Sequence, residues 1–157
     1  MARPLYENEN DKKNEQRIAD YVQKMIGDDF MVSENLGISY ILDRAILKNE
    51  RIVGLMEIKY PKYDFNVNTL PYYFISLNKI KKGIEWSEIT NAPFFLMARF
   101  SKEILFAKIT KESFKHYPIK WGGWTRGARD SADLELMAHV PTNEFYTIDQ
   151  LRPMIIN

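Results

Sequence analysis

The sequence predicts an α+β fold, an α/β sandwich in which a mixed central sheet is flanked by helices. Three observations predict it. Residues 10–26 carry an amphipathic helical stripe. The runs 38–47, 52–60 and 93–100 are apolar on both faces, as strands covered on two sides must be. A helical pattern separates the second run from the third, a crossover long enough to lay them parallel. With 157 residues, 45% of them hydrophobic, the chain suits one compact domain around one core. That domain is taken as 1–157, with a core at about 10–109 and a Gly/Trp-rich C-terminal extension at about 110–157.

In the first helix Ile18, Tyr21, Val22, Met25 and Ile26 recur at i, i+3, i+4, i+7 and i+8, and Gly27 is a natural stop. Glu15, one turn before Ile18, lies at the edge of the buried stripe. It can aim at whatever the helix packs on, or serve as an ordinary acid near a helix start. Residues 30–33 read as a short strand. Residues 38–47 and 52–60 form a hairpin around Lys48–Arg51. Pro61 ends the third strand. A second helix is expected over 69–82, with Asn68 or Thr69 as N-cap, Pro71 in the first turn and Gly83 as the stop. Tyr73, Phe74, Leu77 and Ile80 would be its buried stripe, and Lys79, Lys81 and Lys82 would complement the dipole at its C-terminus. Residues 93–100 and 104–109 then return as adjacent strands, and 134–140 is strand-like.

Cysteine is absent, which excludes disulfides, thiolate metal sites and cysteine nucleophiles. The N-terminus is polar from the seventh residue, and no window approaches the roughly 20 apolar residues that span a bilayer. A cytoplasmic location without a membrane partner is the expectation. The net charge of +1 hides an uneven distribution: residues 61–127 hold 11 Lys/Arg against 5 Asp/Glu. A basic segment beside an acidic pair suits a protein that draws in a polyanion and holds a cation at one point.

That acidic pair lies in the hairpin SYILDRAILKNERIVGLMEIK, where Asp43, Glu57 and Lys59 are charges set in largely apolar strands. Hydrolysis of a phosphodiester uses a metal to polarise the phosphate and activate water, and hard Mg²⁺ takes oxygen ligands. Asp43, Glu57 and the backbone carbonyl of Ile58 can supply three, and Lys59 can orient the water or steady developing charge. The same residues can also form an inert buried ion pair. Register distinguishes the geometries. A two-residue loop at Asn49-Glu50 sets Asp43 opposite Met56 and turns Glu57 to the other face. A three-residue loop or a bulge puts Asp43, Glu57 and Lys59 on one face. The absence of glycine from KNER argues against a tight primed turn and favours the longer loop. In the tail, Trp121, Trp124, Arg126 and Arg129 can stack on bases and grip phosphates, or pack a loop over the core.

An acidic helix, a strand pair bearing Asp43 and Glu57-Ile58-Lys59, a helix with Lys79 and two further strands resemble the PD-(D/E)XK, or restriction-endonuclease-like, nuclease superfamily. The resemblance covers about residues 10–109. It implies an αβββαβ core, with Asp43 and Glu57 as ligands of Mg²⁺ or Mn²⁺ and Lys59 as the catalytic lysine. Glu15 is similar to a helix-one acid that reaches the metal through water, and Ser76 with Lys79 to a polar helix-two position facing the substrate. Leu42 stands where the named motif has proline. The stretch GGWTRGARDSADLE resembles the C-terminal segments of small phage-borne members. The implied activity is a metal-dependent DNA nuclease directed by DNA structure or ends rather than by sequence, akin to single-domain junction-resolving members. DNA would be gripped by Lys62, Ser76, Lys79, Lys82, Trp121, Trp124, Arg126 and Arg129, and a homodimer would be needed to cut both strands. A non-catalytic nucleic-acid- or protein-binding module on the same fold, and a nuclease acting on RNA, are the rival readings.

Overall fold

The structure is a computed structural model that describes residues 9–37, 40–60, 70–101, 103–123 and 134–155. Helix α1 (Glu9–Ile26) is followed by strands β1 (Met31–Val32), β2 (Arg44–Lys48), β3 (Arg51–Lys59) and β4 (Tyr72–Ser76). Helix α2 (Leu77–Thr90) leads to β5 (Phe94–Phe100) and β6 (Glu103–Ile109), then to the short helix α3 (Lys111–Phe114). Strands β7 (Ile119–Gly123), β8 (Leu134–Pro141) and β9 (Tyr146–Thr147) and helix α4 (Leu151–Ile155) complete the chain.

A six-stranded mixed sheet runs in the order β1-β2-β3-β5-β6-β9. Its centre is the parallel pair β3–β5, made possible by the crossover through α2. On one face, Ile46, Met56, Phe95 and Met97 pack against Ile18, Val22 and Ile26 of α1 and Leu151 and Ile155 of α4. On the other, Ala45, Leu55, Leu96 and Ala98 meet Ile80 of α2 and Tyr73, Ile75, Ala138 and Val140. Those last four belong to a second sheet, β4-β8-β7, which lies over the same face. Both faces of the central strands are dry, which is why their sequences are apolar without alternation.

Three features depart from the expectation. Strand β2 begins at Arg44: of the strand expected over 38–47, residues 40–43 are not strand, and residues 38 and 39 lie outside the described residues. Ile41, just before β2, has φ 68°, a left-handed conformation that a β-branched side chain rarely takes and that interrupts a ladder. The second helix begins at Leu77, with Ser76 as its N-cap. Residues 72–76 are a strand because their aromatic and β-branched side chains have a full antiparallel partner in β8, from Tyr72 opposite Pro141 to Ser76 opposite Met137. Asn68 and Thr69 lie outside the described residues. Gly83 is therefore no stop. It sits inside α2, where a Cβ would stand 2.3 Å from Cε2 of Phe94, so its missing side chain lets the helix settle on β5. The C-terminal part of the chain is built into the same body. β9 extends the main sheet beside β6, and Arg152 of α4 pairs with Asp29 at 2.7 Å.

Candidate active site

The β2–β3 hairpin decides which charges meet. Its loop is the two-residue Asn49-Glu50, with φ 51° and 64°, and Lys48 pairs with Arg51. The expected longer loop is thus absent; Asn49 tolerates the left-handed region and Glu50 adopts it at some cost. Parity is changed instead by a bulge. Ile46 pairs with Gly54 and Leu47 with Ile52, leaving Val53 as the extra residue on β3. Arg44 consequently faces Met56, and one residue earlier the Asp43 backbone N–H donates to the Met56 carbonyl at 3.1 Å. Asp43 and Glu57 come out on the same face, the one covered by α2. Gly54 permits the local bend: a Cβ there would stand 3.2 Å from Ile46 Cδ1.

Glu57 is the centre of the resulting cluster. It is 1% exposed, and Lys59 Nζ and Lys79 Nζ stand 3.4 and 3.5 Å from its Oε2. Its Oε1 is buried with no hydrogen-bond partner among the described residues. Such an atom costs free energy unless something occupies its lone pairs. Asp43 accepts the Ile58 backbone N–H on Oδ2 at 2.7 Å. Burial, and then the neighbouring Glu57 charge, push the Asp43 carboxyl up to about 8, against the pull of the Ile58 amide. For Lys59, burial works against the ammonium, but Glu57 and Asp43 prevail and hold its proton affinity above the usual value.

The position of α2 explains an otherwise odd charge. Because the helix starts at Leu77, Lys79 lies in its first turn, where the dipole disfavours a cation. The cost is offset inside the site: besides meeting Glu57, Lys79 donates to the Ile41 carbonyl at 2.6 Å. The left-handed turn at Ile41 is the conformation in which that carbonyl accepts. Ser76 donates to Glu135 Oε2 at 3.0 Å. Glu135, on β8, also adds to the negative field around Lys59. The sequence reading missed it, since only the β4–β8 pairing brings it across from 59 residues away.

The remaining candidates separate. Glu15 lies on the opposite face, where its Oε1 accepts from Arg44 Nε and from Asn35 Nδ2, each at 2.9 Å. It bears on Asp43 only as a neighbouring charge. Lys82 pairs with Glu85 on the flank of α2 at 3.1 Å. Trp121 is 67% exposed on β7. Lys62, Trp124, Arg126 and Arg129 lie outside the described residues.

The donor set fits a hard divalent cation. Asp43 and Glu57 present oxygens from adjacent strands, one of them unpartnered among the described residues, in a site where two carboxylates crowd each other. Among the described residues no group of three or more Asp, Glu, His or Cys is arranged to hold a metal, so a bound ion would draw further ligands from backbone and water, as Mg²⁺ commonly does. No helix among the described residues is long and apolar enough to cross a membrane.

Comparison with known proteins bears on the fold and the family. The fold is similar to that of Archaeoglobus fulgidus Hjc, a Holliday junction resolvase from an archaeal hyperthermophile. The TM-score is 0.56 at 10% identity, over 87% of this chain and 98% of that one. At that identity the likeness shows the restriction-endonuclease-like fold. No curated protein matches the sequence. A family model described as "Phage putative PDDEXK endonuclease" matches residues 1–148. The chain belongs to that phage PDDEXK endonuclease family, and it is a nuclease of the PD-(D/E)XK class.

Proposed function

We propose that this nuclease is a divalent-metal-dependent phosphodiesterase acting on DNA in the host cytoplasm, and that it selects DNA structure or ends rather than base sequence. The observation that carries the proposal is the pairing of Asp43 and Glu57 on one face with Lys59, around a buried carboxylate oxygen that lacks a partner among the described residues. Asp43, Glu57 and the Ile58 carbonyl would hold Mg²⁺ or Mn²⁺. The ion would polarise the phosphate and lower the pKa of a bound water. Lys59, 39% exposed and already charged, is placed to orient that water and to meet charge developing on the phosphate. Lys79 holds Glu57 in position. Glu15 is given a structural role, because both of its oxygens are engaged by Asn35, one of them also by Arg44. One such site cuts one strand, so severing both strands at a junction would require two copies of the chain.

Cleavage of junction, flap, single-stranded and duplex DNA, with RNA alongside, tests this in Mg²⁺ or Mn²⁺ against EDTA. The expected result is metal-dependent cutting of DNA that Lys59→Ala abolishes. The Glu57–Lys59 ion pair favours a second reading, a binding module in which that pair is merely structural. Identical behaviour of wild type and Lys59→Ala on every substrate would establish that reading. A Mn²⁺ soak without a metal peak between Asp43 and Glu57 would remove the proposed metal site.

A further inference from the structure

The outer face of the β4-β8-β7 sheet carries a row of rings that the hydrolytic site does not use. Tyr73 and Ile75 of β4 point into the core, so Tyr72, Phe74 and Ser76 point out. Opposite them on β8 stand Pro141, His139 and Met137. The Phe74 and His139 rings lie 4.3 Å apart between centroids with 33° between planes, and Tyr72 is 5.8 Å from the His139 ring. Phe74 nevertheless remains 49% exposed. Ladder pairing of both strands holds these rings in place before anything binds. Lys120 of β7, opposite Met137, is exposed on the same face. Partial burial and then the Lys120 charge lower the proton affinity of His139, so it is a neutral aromatic ring at neutral pH.

This row leads into the active site. Ser76 is the next outward residue after Phe74, about 7 Å further along the strand. It occupies the N-cap position of α2, whose first turn delivers Lys79 to Glu57. Glu135, which accepts from Ser76, lies on the same outer face one alternate step beyond Met137.

We propose that the Tyr72–Phe74–His139 face is a stacking platform for unpaired nucleotides of the DNA that is cut at Asp43, Glu57 and Lys59. The preferred substrates are then duplexes carrying a single-stranded tail or flap. This rests on the nuclease reading above and adds the class of substrate. Two observations select a nucleic-acid strand over a second copy of the chain. The row ends at the hydrolytic site, so a strand leaving that site can follow it, whereas a protein seated there would stand at the site's entrance. Cations border the path where it nears the site, Lys120 across from Met137 and level with Ser76, with Lys59 and Lys79 beyond, which complements a phosphate backbone. Base stacking on aromatic rings is also sequence-tolerant, as structure-directed cutting requires.

The test uses the full chain, 2-aminopurine placed in the tail of a tailed duplex, and a blunt duplex of the same sequence, with Ca²⁺ for binding and Mg²⁺ for cleavage. Wild type is expected to change the 2-aminopurine emission by stacking and to prefer the tailed substrate. Phe74→Ala with His139→Ala should lose the emission change and about tenfold in tailed-substrate affinity while leaving blunt-duplex cleavage unchanged, and Phe74→Trp should retain both. Lys120→Glu, at an exposed position, provides a variant that does not touch the packing and should weaken the tailed substrate selectively. Wild-type preference in a folded double variant, or in Lys120→Glu, overturns the proposal. So does a wild-type dimer that the double variant converts to monomer with equal losses on every substrate, which would assign the face to a second copy. If no substrate is cut at all, the nuclease reading fails, while the emission change in Ca²⁺ still decides the platform.

Discussion

Replacing Asp43 with asparagine should stabilise the metal-free protein at alkaline pH, although the residue lies at the heart of the site. Asparagine keeps the shape of the side chain and an oxygen to accept the Ile58 N–H, but removes the charge that Glu57 repels. In the folded chain the Asp43 carboxyl is raised from 3.8 to about 8. Its contribution to stability is therefore fully present below the unfolded value and is lost as pH rises through about 8. At about 1.4 kcal/mol for each tenfold change in proton affinity, that elevation sets a ceiling of about 6 kcal/mol. Asp43 retains partial contact with water, which reduces the expectation to about 2 kcal/mol, or roughly 4–8 °C in Tm for a chain of this size. Thermal melts in EDTA between pH 5 and pH 9 provide the measurement. Wild type should lose stability across the range, whereas Asp43→Asn should vary less and melt higher at the alkaline end. Adding Mn²⁺ should reverse the order, because the ion stabilises only the chain that can bind it. An Asp43→Asn protein that melts below wild type in EDTA at pH 9 would refute the crowding of carboxylates on which the metal site rests.

Lys59→Met should lower cleavage at least about 100-fold while leaving Tm within a few degrees, since Lys79 still neutralises Glu57; rates and melts on the same preparation check both halves. Glu15→Ala strands the buried Arg44 guanidinium and should cost about 3 kcal/mol in urea unfolding, yet the folded fraction should cut at a rate near that of wild type. Gly83→Ala drives a methyl into the Phe94 ring and should destabilise by about 3 kcal/mol, with the loss relieved in part by Phe94→Leu in a double-mutant cycle.

Much of the frame was legible because its signals are local. The stripe from Ile18 to Ile26 specifies α1, and the apolar runs at β3 and β5 specify the strands whose parallel pairing the crossover requires. The second helix was misplaced because Tyr73, Leu77 and Ile80 happen to fall at helical spacing. What makes residues 72–76 a strand is β8, more than 60 residues downstream, and no local periodicity carries that information. The same distance concealed Glu135. The trio Asp43, Glu57 and Lys59 was visible as charges in apolar strands, but its assembly depends on the Val53 bulge. That bulge is set by the close approach of Gly54 to Ile46 and by Asn49 and Glu50 accepting left-handed backbone. Glu15 was read as an acid at the edge of a buried face, which it is; Arg44, next to Asp43 but pointing the other way, claims it.

The bulge makes chain length between Asp43 and Glu57 a functional quantity. Adding or removing one residue in that stretch rotates Glu57 away from Lys79 and onto the face packed against Ile18 and Val22, whereas a change of two keeps it on its present face. Relatives should therefore differ there by even numbers, or trade the Val53 bulge for a three-residue turn. A motif search that fixes residue types and lets the spacing drift would miss the constraint that holds this hairpin together.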